Sequence, residues 1–161
     1  MRVLLDTTYL MPAIGVSVSG IKSSVFRTLK EKNHRLFISE LTLFELSAKG
    51  AKHVLSREIN VDRVLRGLTV VANDKTLTRI PMFETEIIKN SYALRKIIDD
   101  YIDCIIVSSA IHMCDALITE DRLIQELSNK PSFRIMLDET NPSFQILSSQ
   151  NLDQLSSGST T

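Results

Sequence analysis

The sequence predicts an α/β fold: a central, mostly parallel sheet of four to five strands with helices packed against it. Three observations predict it. Val3-Leu4-Leu5 is a short unbroken apolar run, the pattern of a strand buried on both faces, and it stops abruptly at Asp6. Ala116-Leu117-Ile118-Thr119 repeats the pattern and stops at Glu120-Asp121. Between such runs the apolar residues recur at helical spacing, so strands alternate with helices, and that alternation implies parallel pairing.

Taken in order, the first strand leads into Tyr9-Leu10-Met11-Pro12 and a loop holding Gly15 and Gly20. Ile21, Val25 and Leu29 predict an amphipathic helix over roughly 20–32. Arg35-Leu36-Phe37-Ile38 is the second strand. Ser39 is placed to cap a helix carrying Leu41, Phe44, Glu45 and Ala48, with Gly50 as its stop. Residues 51–67 form another helix, and the β-branched run Leu68-Thr69-Val70-Val71-Ala72 predicts a strand or extended segment. Asn73-Asp74-Lys75 is a turn, and Pro81 a break. Phe83–Ile98 is helical, with Ile87, Ser91, Leu94 and Ile98 on one stripe. Tyr101–Ile111 is a buried helix. Arg122–Leu127 is a short helix, Phe133–Leu137 the last strand, and Phe144, Ile146 and Leu147 belong to one further short segment.

At 161 residues, 43% hydrophobic and 24% charged, the chain suits one globular domain, placed at 1–147. Residues 148–161, rich in Ser, Gln, Thr and Gly, read as a flexible tail. A net charge of zero gives no overall attraction for nucleic acid. The distribution is uneven: positions 22–66 hold ten Lys or Arg against five acids, whereas 99–121 hold six acids and no Lys or Arg. A basic region beside an acidic one fits a phosphate-rich substrate approaching a cation-loaded site; ordinary solvated helix faces account for it equally. Cys104 and Cys114, in apolar surroundings, read as reduced buried thiols of a cytoplasmic protein. Asp6 interrupts the apolar start too early for a signal peptide, and no apolar run reaches the roughly 18 residues of a membrane span.

In a parallel sheet, ligands gather outside the carboxyl ends of the strands. Asp6 and Asp121 leave strand ends on that edge. Asp103 opens the helix leading into the strand before Asp121, and Glu45 lies about two turns into the helix after the second strand. Read alone, Asp103 is equally a favourable residue at a helix N-terminus, and Glu45 equally a carboxylate reaching solvent. Gathered in one cleft, four carboxylates repel one another unless cations neutralise them. Oxygen ligands select hard ions, Mg²⁺ or Mn²⁺, and two such ions about 3.5–4 Å apart serve in-line displacement at phosphorus.

Leu4-Leu5-Asp6-Thr7-Thr8, Ser39–Leu46, Asp103–Ala110 and Ala116–Asp121 together resemble the PIN-domain nucleases, the VapC-like toxins of prokaryotic toxin–antitoxin pairs in particular, over about residues 1–147. The resemblance implies a three-layer α/β/α fold and a metal-dependent endoribonuclease. It makes Asp6, Glu45, Asp103 and Asp121 the catalytic metal ligands, with Thr8 and Thr119 orienting ligands or water from behind. It further implies Mg²⁺ or Mn²⁺, an RNA substrate, a homodimer and a small antitoxin inserting near the acids. Three features differ from the family's usual pattern: Ser108-Ser109 in place of small apolar residues, an additional carboxylate at Glu120, and a longer stretch from 67 to 100.

Other readings weigh less. A PIN-fold RNA-processing factor, or a binding module without turnover, keeps the same acids. Gly15–Ser23 brushes against a phosphate-binding loop, but an extra Ile21 separates Gly20 from Lys22. A haloacid dehalogenase-like phosphotransferase needs an Asp where Thr8 stands. Cys104, His112, Cys114 and Asp115 match no usual zinc spacing.

Overall fold

The computed structural model describes residues 1–21 and 25–151. Its centre is a five-stranded, wholly parallel sheet, β1 (Arg2–Leu5), β2 (Arg35–Ser39), β3 (Leu77–Ile80), β4 (Ala116–Ile118) and β5 (Gln145–Leu147), in the order β3-β2-β1-β4-β5. Strand β1 is central, and Val3, Leu4 and Leu5 are all fully buried, because strand side chains alternate between the two faces. Val3 and Leu5 enter one core, with Leu36, Ile38, Ala116 and Ile118; Leu4 enters the other, with Phe37 and Leu117.

The first core is covered by a 3-10 helix (Thr7–Ile14), α1 (Val25–Glu31), α2 (Glu40–Leu55) and α3 (Val61–Asn73). The second is covered by α4 (Thr85–Leu94), α5 (Tyr101–Met113), α6 (Arg122–Gln125) and α7 (Pro131–Thr140). Helices on both sides of the sheet make the three-layer α/β/α arrangement that the sequence predicts. No helix among the described residues is long and apolar enough to cross a membrane.

Several expected boundaries move. The helix expected over 20–32 runs from Val25 to Glu31, with 22–24 outside the described residues. Gly50 does not stop α2, which continues to Leu55. A Cβ at Gly50 would sit 2.6 Å from Val64 Cγ1 and one at Gly67 2.3 Å from the Ala13 carbonyl oxygen. Both glycines therefore mark close approach, of α2 to α3 and of α3 to the 3-10 helix. The helix expected over 51–67 is divided at 56–60, where Asn60 Oδ1 accepts from the Arg63 amide at 2.8 Å and starts α3 anew.

The expected strand at Leu68–Ala72 is the C-terminal half of α3. Val64, Gly67 and Val71 are buried while Val70 is exposed, which is a helical period. The expected strand at Phe133–Leu137 is likewise helix, begun by Pro131 at its first turn, with Phe133 buried and Ile135 exposed. The sheet's remaining places go to β3, which the sequence reading passed over, and to β5, within the short segment at 144–147. The helix expected at Phe83–Ile98 is shorter, Thr85–Leu94, yet Ile87, Ser91, Leu94 and Ile98 are all buried as expected. Ser108 and Ser109 keep partners in the core: Ser108 donates to the Ile87 carbonyl of α4 at 2.7 Å and Ser109 to the Ile105 carbonyl at 2.8 Å.

Candidate active site

Strand β1 meets β2 on one side and β4 on the other. In an open parallel sheet this reversal of strand order opens a crevice at the carboxyl ends. Asp6 stands there, directly after β1, its backbone amide bonded to the Ile118 carbonyl of β4 at 3.0 Å. The residue is 7% exposed. Oδ1 accepts from the Thr7 amide at 2.7 Å, while Oδ2 accepts from the Thr119 hydroxyl at 2.9 Å and from Thr8 at a longer 3.3 Å. Burial pushes the Asp6 carboxyl above its ordinary range, the Thr119 bond pulls it down, the Glu45 charge pushes it up again, and the Lys49 ammonium opposes the rise.

Glu45 projects from α2, whose N-terminus is capped by Ser39 as expected. Its Oε2 accepts from the Thr7 hydroxyl, and its Oε1 pairs with Lys49 Nζ at 2.7 Å, one helical turn on. Asp103 lies in the first turn of α5. A helix N-terminus favours an anion, yet the Asp103 carboxyl is pushed up to about 7, first by burial and then by the charges of Asp100, Asp6, Glu45 and Asp121. Asp121 follows β4 and caps α6, its Oδ1 accepting from the amides of Leu123 at 2.7 Å and Ile124 at 3.3 Å. The Thr119 hydroxyl accepts from the Asp121 amide at 3.1 Å, so one side chain braces both Asp6 and Asp121.

All four acids line one open pocket of about 290 Å³, together with Thr8, Lys49, Asp100 and Glu120. Lys49, Asp100 and Thr7 escaped the sequence reading. The signal for Lys49 was its i+4 spacing from Glu45, the favourable order for a helical acid–base pair. Asp100 caps α5 by accepting from the Ile102 amide at 2.7 Å. Glu120 is tied down: its Oε1 accepts from the Tyr9 hydroxyl and from the Ser149 amide, the latter at 2.7 Å. Burial raises its carboxyl, but these bonds outweigh burial and hold it below the usual range.

The donor set suits a hard divalent cation. It is all oxygen, Asp103 has no hydrogen-bond or ion-pair partner among the described residues, and mutual repulsion among the acids is incompletely neutralised. As placed, however, no three His, Cys, Asp or Glu side chains among the described residues stand close enough to hold a metal ion. Glu45 is turned to Lys49, and Asp121 to its helix cap. The conceivable zinc set is scattered: His112 bonds Asn90, Asp115 pairs with Arg2, and both thiols are buried in the core. Burial raises Cys104 to about 11 and Cys114 to about 12, so both are inert thiols. At the near-miss phosphate loop, residues 22–24 lie outside those described, and Gly15 caps the 3-10 helix.

The PIN domain family pattern matches residues 3–130. This chain belongs to the PIN domain family. The matched region carries all four acids of the pocket. Among solved structures, the PIN chain is similar to one in the crystal structure of VapBC2 from Rickettsia felis bound to a DNA fragment from their promoter. The TM-score is 0.57 at 19% identity, covering 92% of this chain and 98% of that one. At that identity the likeness speaks for the PIN fold alone. Comparison with curated proteins found no match.

Proposed function

We propose that this PIN domain is a divalent-metal-dependent endoribonuclease, with Asp6, Glu45, Asp103 and Asp121 holding Mg²⁺ or Mn²⁺. The observation that carries this reading is that the four carboxylates, distant in sequence, line one pocket at the switch point of the sheet. When bound there, the cation supplies charge neutralisation at the phosphodiester and a more acidic water. The protein's own residues prepare the rest. Thr119 and Thr7 fix the Asp6 carboxylate by two bonds from rigid strand and helix ends. Asp103, its carboxyl pushed up to about 7 by burial and its acidic neighbours, would give up any proton it holds where positive charge is bound. Lys49, partly exposed beside Glu45, would offer its ammonium to a phosphate oxygen if Glu45 held the cation. Lys52, one turn further along α2, extends a basic path for the RNA backbone.

The test is cleavage of RNA by the wild type and by Asp6→Asn, each with Mn²⁺ and with EDTA. The expected result is cleavage by the wild type in Mn²⁺ alone. Cleavage that persists in EDTA and in Asp6→Asn overturns the proposal.

Within the nuclease reading we further propose the role of toxin in a toxin–antitoxin pair, acting as a homodimer and inhibited by an antitoxin protein. The likeness to the VapBC2 structure supports it, and a short neighbouring gene for a DNA-binding protein would strengthen it. A second reading, a binding module without turnover, is favoured by the side-chain placement: Glu45 is occupied by Lys49 and Asp121 by its cap. Calorimetric titration with Mn²⁺ separates the two, since a binding module takes up no metal.

A further inference from the structure

Beside the acid pocket lies a second cavity of about 250 Å³, enclosed more than the first and walled by Ile97, Ile98, Leu123 and Ile124. The two cavities share Asp100, Asp103 and Ile124, so they are adjacent. Asp99, Asp100, Asp103 and Glu126 line it with Lys130, and Asp99 is also ion-paired with Arg95 at 3.8 Å. The Lys130 ammonium is already bonded to the Ile97 carbonyl at 3.0 Å.

Three constraints limit what this cavity can accept. Its volume lies below the roughly 300–1,000 Å³ of pockets that take drug-sized ligands, so its occupant has the bulk of one heterocycle. Its apolar walls favour a flat or apolar group. Its polar lining, four carboxylates against the engaged Lys130 and the Arg95 paired with Asp99, keeps a negative excess that disfavours phosphate. A nucleic-acid strand is therefore disfavoured from running its backbone here, but it can turn a base in. Ionised carboxylates only accept hydrogen bonds, so Asp100 and Glu126 favour a base edge rich in N–H groups.

We propose that this cavity is a nucleobase subsite, taking the base of the nucleotide next to the scissile phosphate and preferring amino-bearing bases over uracil. The proposal rests on the nuclease reading, because the shared wall at Asp103 is what places the base beside the reacting phosphate. The backbone then follows the basic side of the pocket, at Lys49, while the base turns to the opposite, acidic side. Leu123 forms the lip. It is 75% exposed.

The test uses Leu123→Trp, which fills the lip from an exposed position, and Leu55→Trp as a control at a still more exposed site on α2. Cut sites in a randomised RNA pool are sequenced in Mn²⁺. Separately, binding of fluorescent trinucleotides of each base is measured on the Asp6→Asn background without metal. The expected result is a base preference at one position flanking the cut, roughly tenfold against uracil, abolished by Leu123→Trp and kept by Leu55→Trp, with the same pattern in binding. A preference untouched by Leu123→Trp, or no preference in either assay, overturns the subsite. Base-selective, Leu123-dependent binding without any cleavage keeps the subsite and overturns the nuclease reading instead. A protein partner that covers Leu123 while base selectivity is absent assigns the cavity to that partner and overturns the proposal.

Discussion

The hydroxyl of Thr119 donates to Asp6 Oδ2 at 2.9 Å, joining the carboxyl ends of two adjacent strands, β1 and β4, through side chains 113 positions apart. The bond lies where both residues are buried. It does two things at once: it supplies a donor to a carboxylate removed from water, and it aims that carboxylate into the pocket.

Thr119→Val keeps the shape but removes both the donor to Asp6 and the acceptor of the Asp121 amide. Leaving a buried acceptor unsatisfied costs on the order of 1–3 kcal/mol. Because the bond favours the charged form of Asp6, its loss raises the Asp6 carboxyl further, and the acid limb of the cleavage–pH profile moves to higher pH. Thr119→Ser restores the limb. Urea denaturation and a pH–rate profile measure the two effects; an unmoved acid limb in Thr119→Val refutes the role.

Asp103 stands at about 7 in the folded, metal-free protein against 3.8 for an ordinary aspartate. Between those values the folded chain holds a proton that the unfolded chain has released. The resulting contribution to stability is complete below the lower value and is lost as pH rises through the upper one. Metal-free melting temperature therefore falls between about pH 5 and about pH 8, and Asp103→Asn flattens that fall. Mn²⁺ raises the melting temperature more at the higher pH, where the carboxylate is free to bind it. Melting curves at both pH values, with Mn²⁺ or EDTA, decide the matter.

Lys49→Met removes the ammonium beside Glu45. RNA affinity drops at low salt, and the slope of log affinity against log salt becomes shallower by about one, the signature of a lost phosphate contact. Titrations between roughly 50 and 200 mM salt read it directly. A steeper or unchanged slope places Lys49 outside the RNA path.

Asp121 serves as a helix cap whatever else it does. Asp121→Asn keeps an acceptor for the Leu123 and Ile124 amides, so stability changes little while cleavage is lost. Asp121→Ala loses both, with about 1 kcal/mol of additional destabilisation. Equal cleavage by the Asn variant and the wild type removes Asp121 from the ligand set.

Gly67→Ala sets a methyl 2.3 Å from the Ala13 carbonyl oxygen, a backbone atom that cannot rotate away. Overpacking of this kind destabilises by about 1–3 kcal/mol, and each kcal/mol lowers the melting temperature of a chain this size by roughly 2–4 °C. Differential scanning calorimetry tests it.

The sheet's centre was readable in one dimension because its strands are buried on both faces. Val3–Leu5 and Ala116–Ile118 must be apolar throughout, and each must end where the chain returns to water, so the acids at 6 and 121 announced themselves. Edge strands carry no such mark. In β3 only Leu77 and Ile80 are buried, and it becomes a strand by pairing with β2. Local preference misled at Leu68–Ala72 and Phe133–Leu137, where β-branched and aromatic residues lie in helices. The spacing of Val64, Gly67 and Val71 outweighs a propensity difference of at most about 0.7 kcal/mol per residue. Chemistry and position along the chain thus sufficed to nominate four carboxylates. Which cation faces them, which of them is engaged as a cap, and which holds a proton near neutrality were decided in three dimensions. Those properties depend on charge separation and burial, and both arise only when distant segments meet.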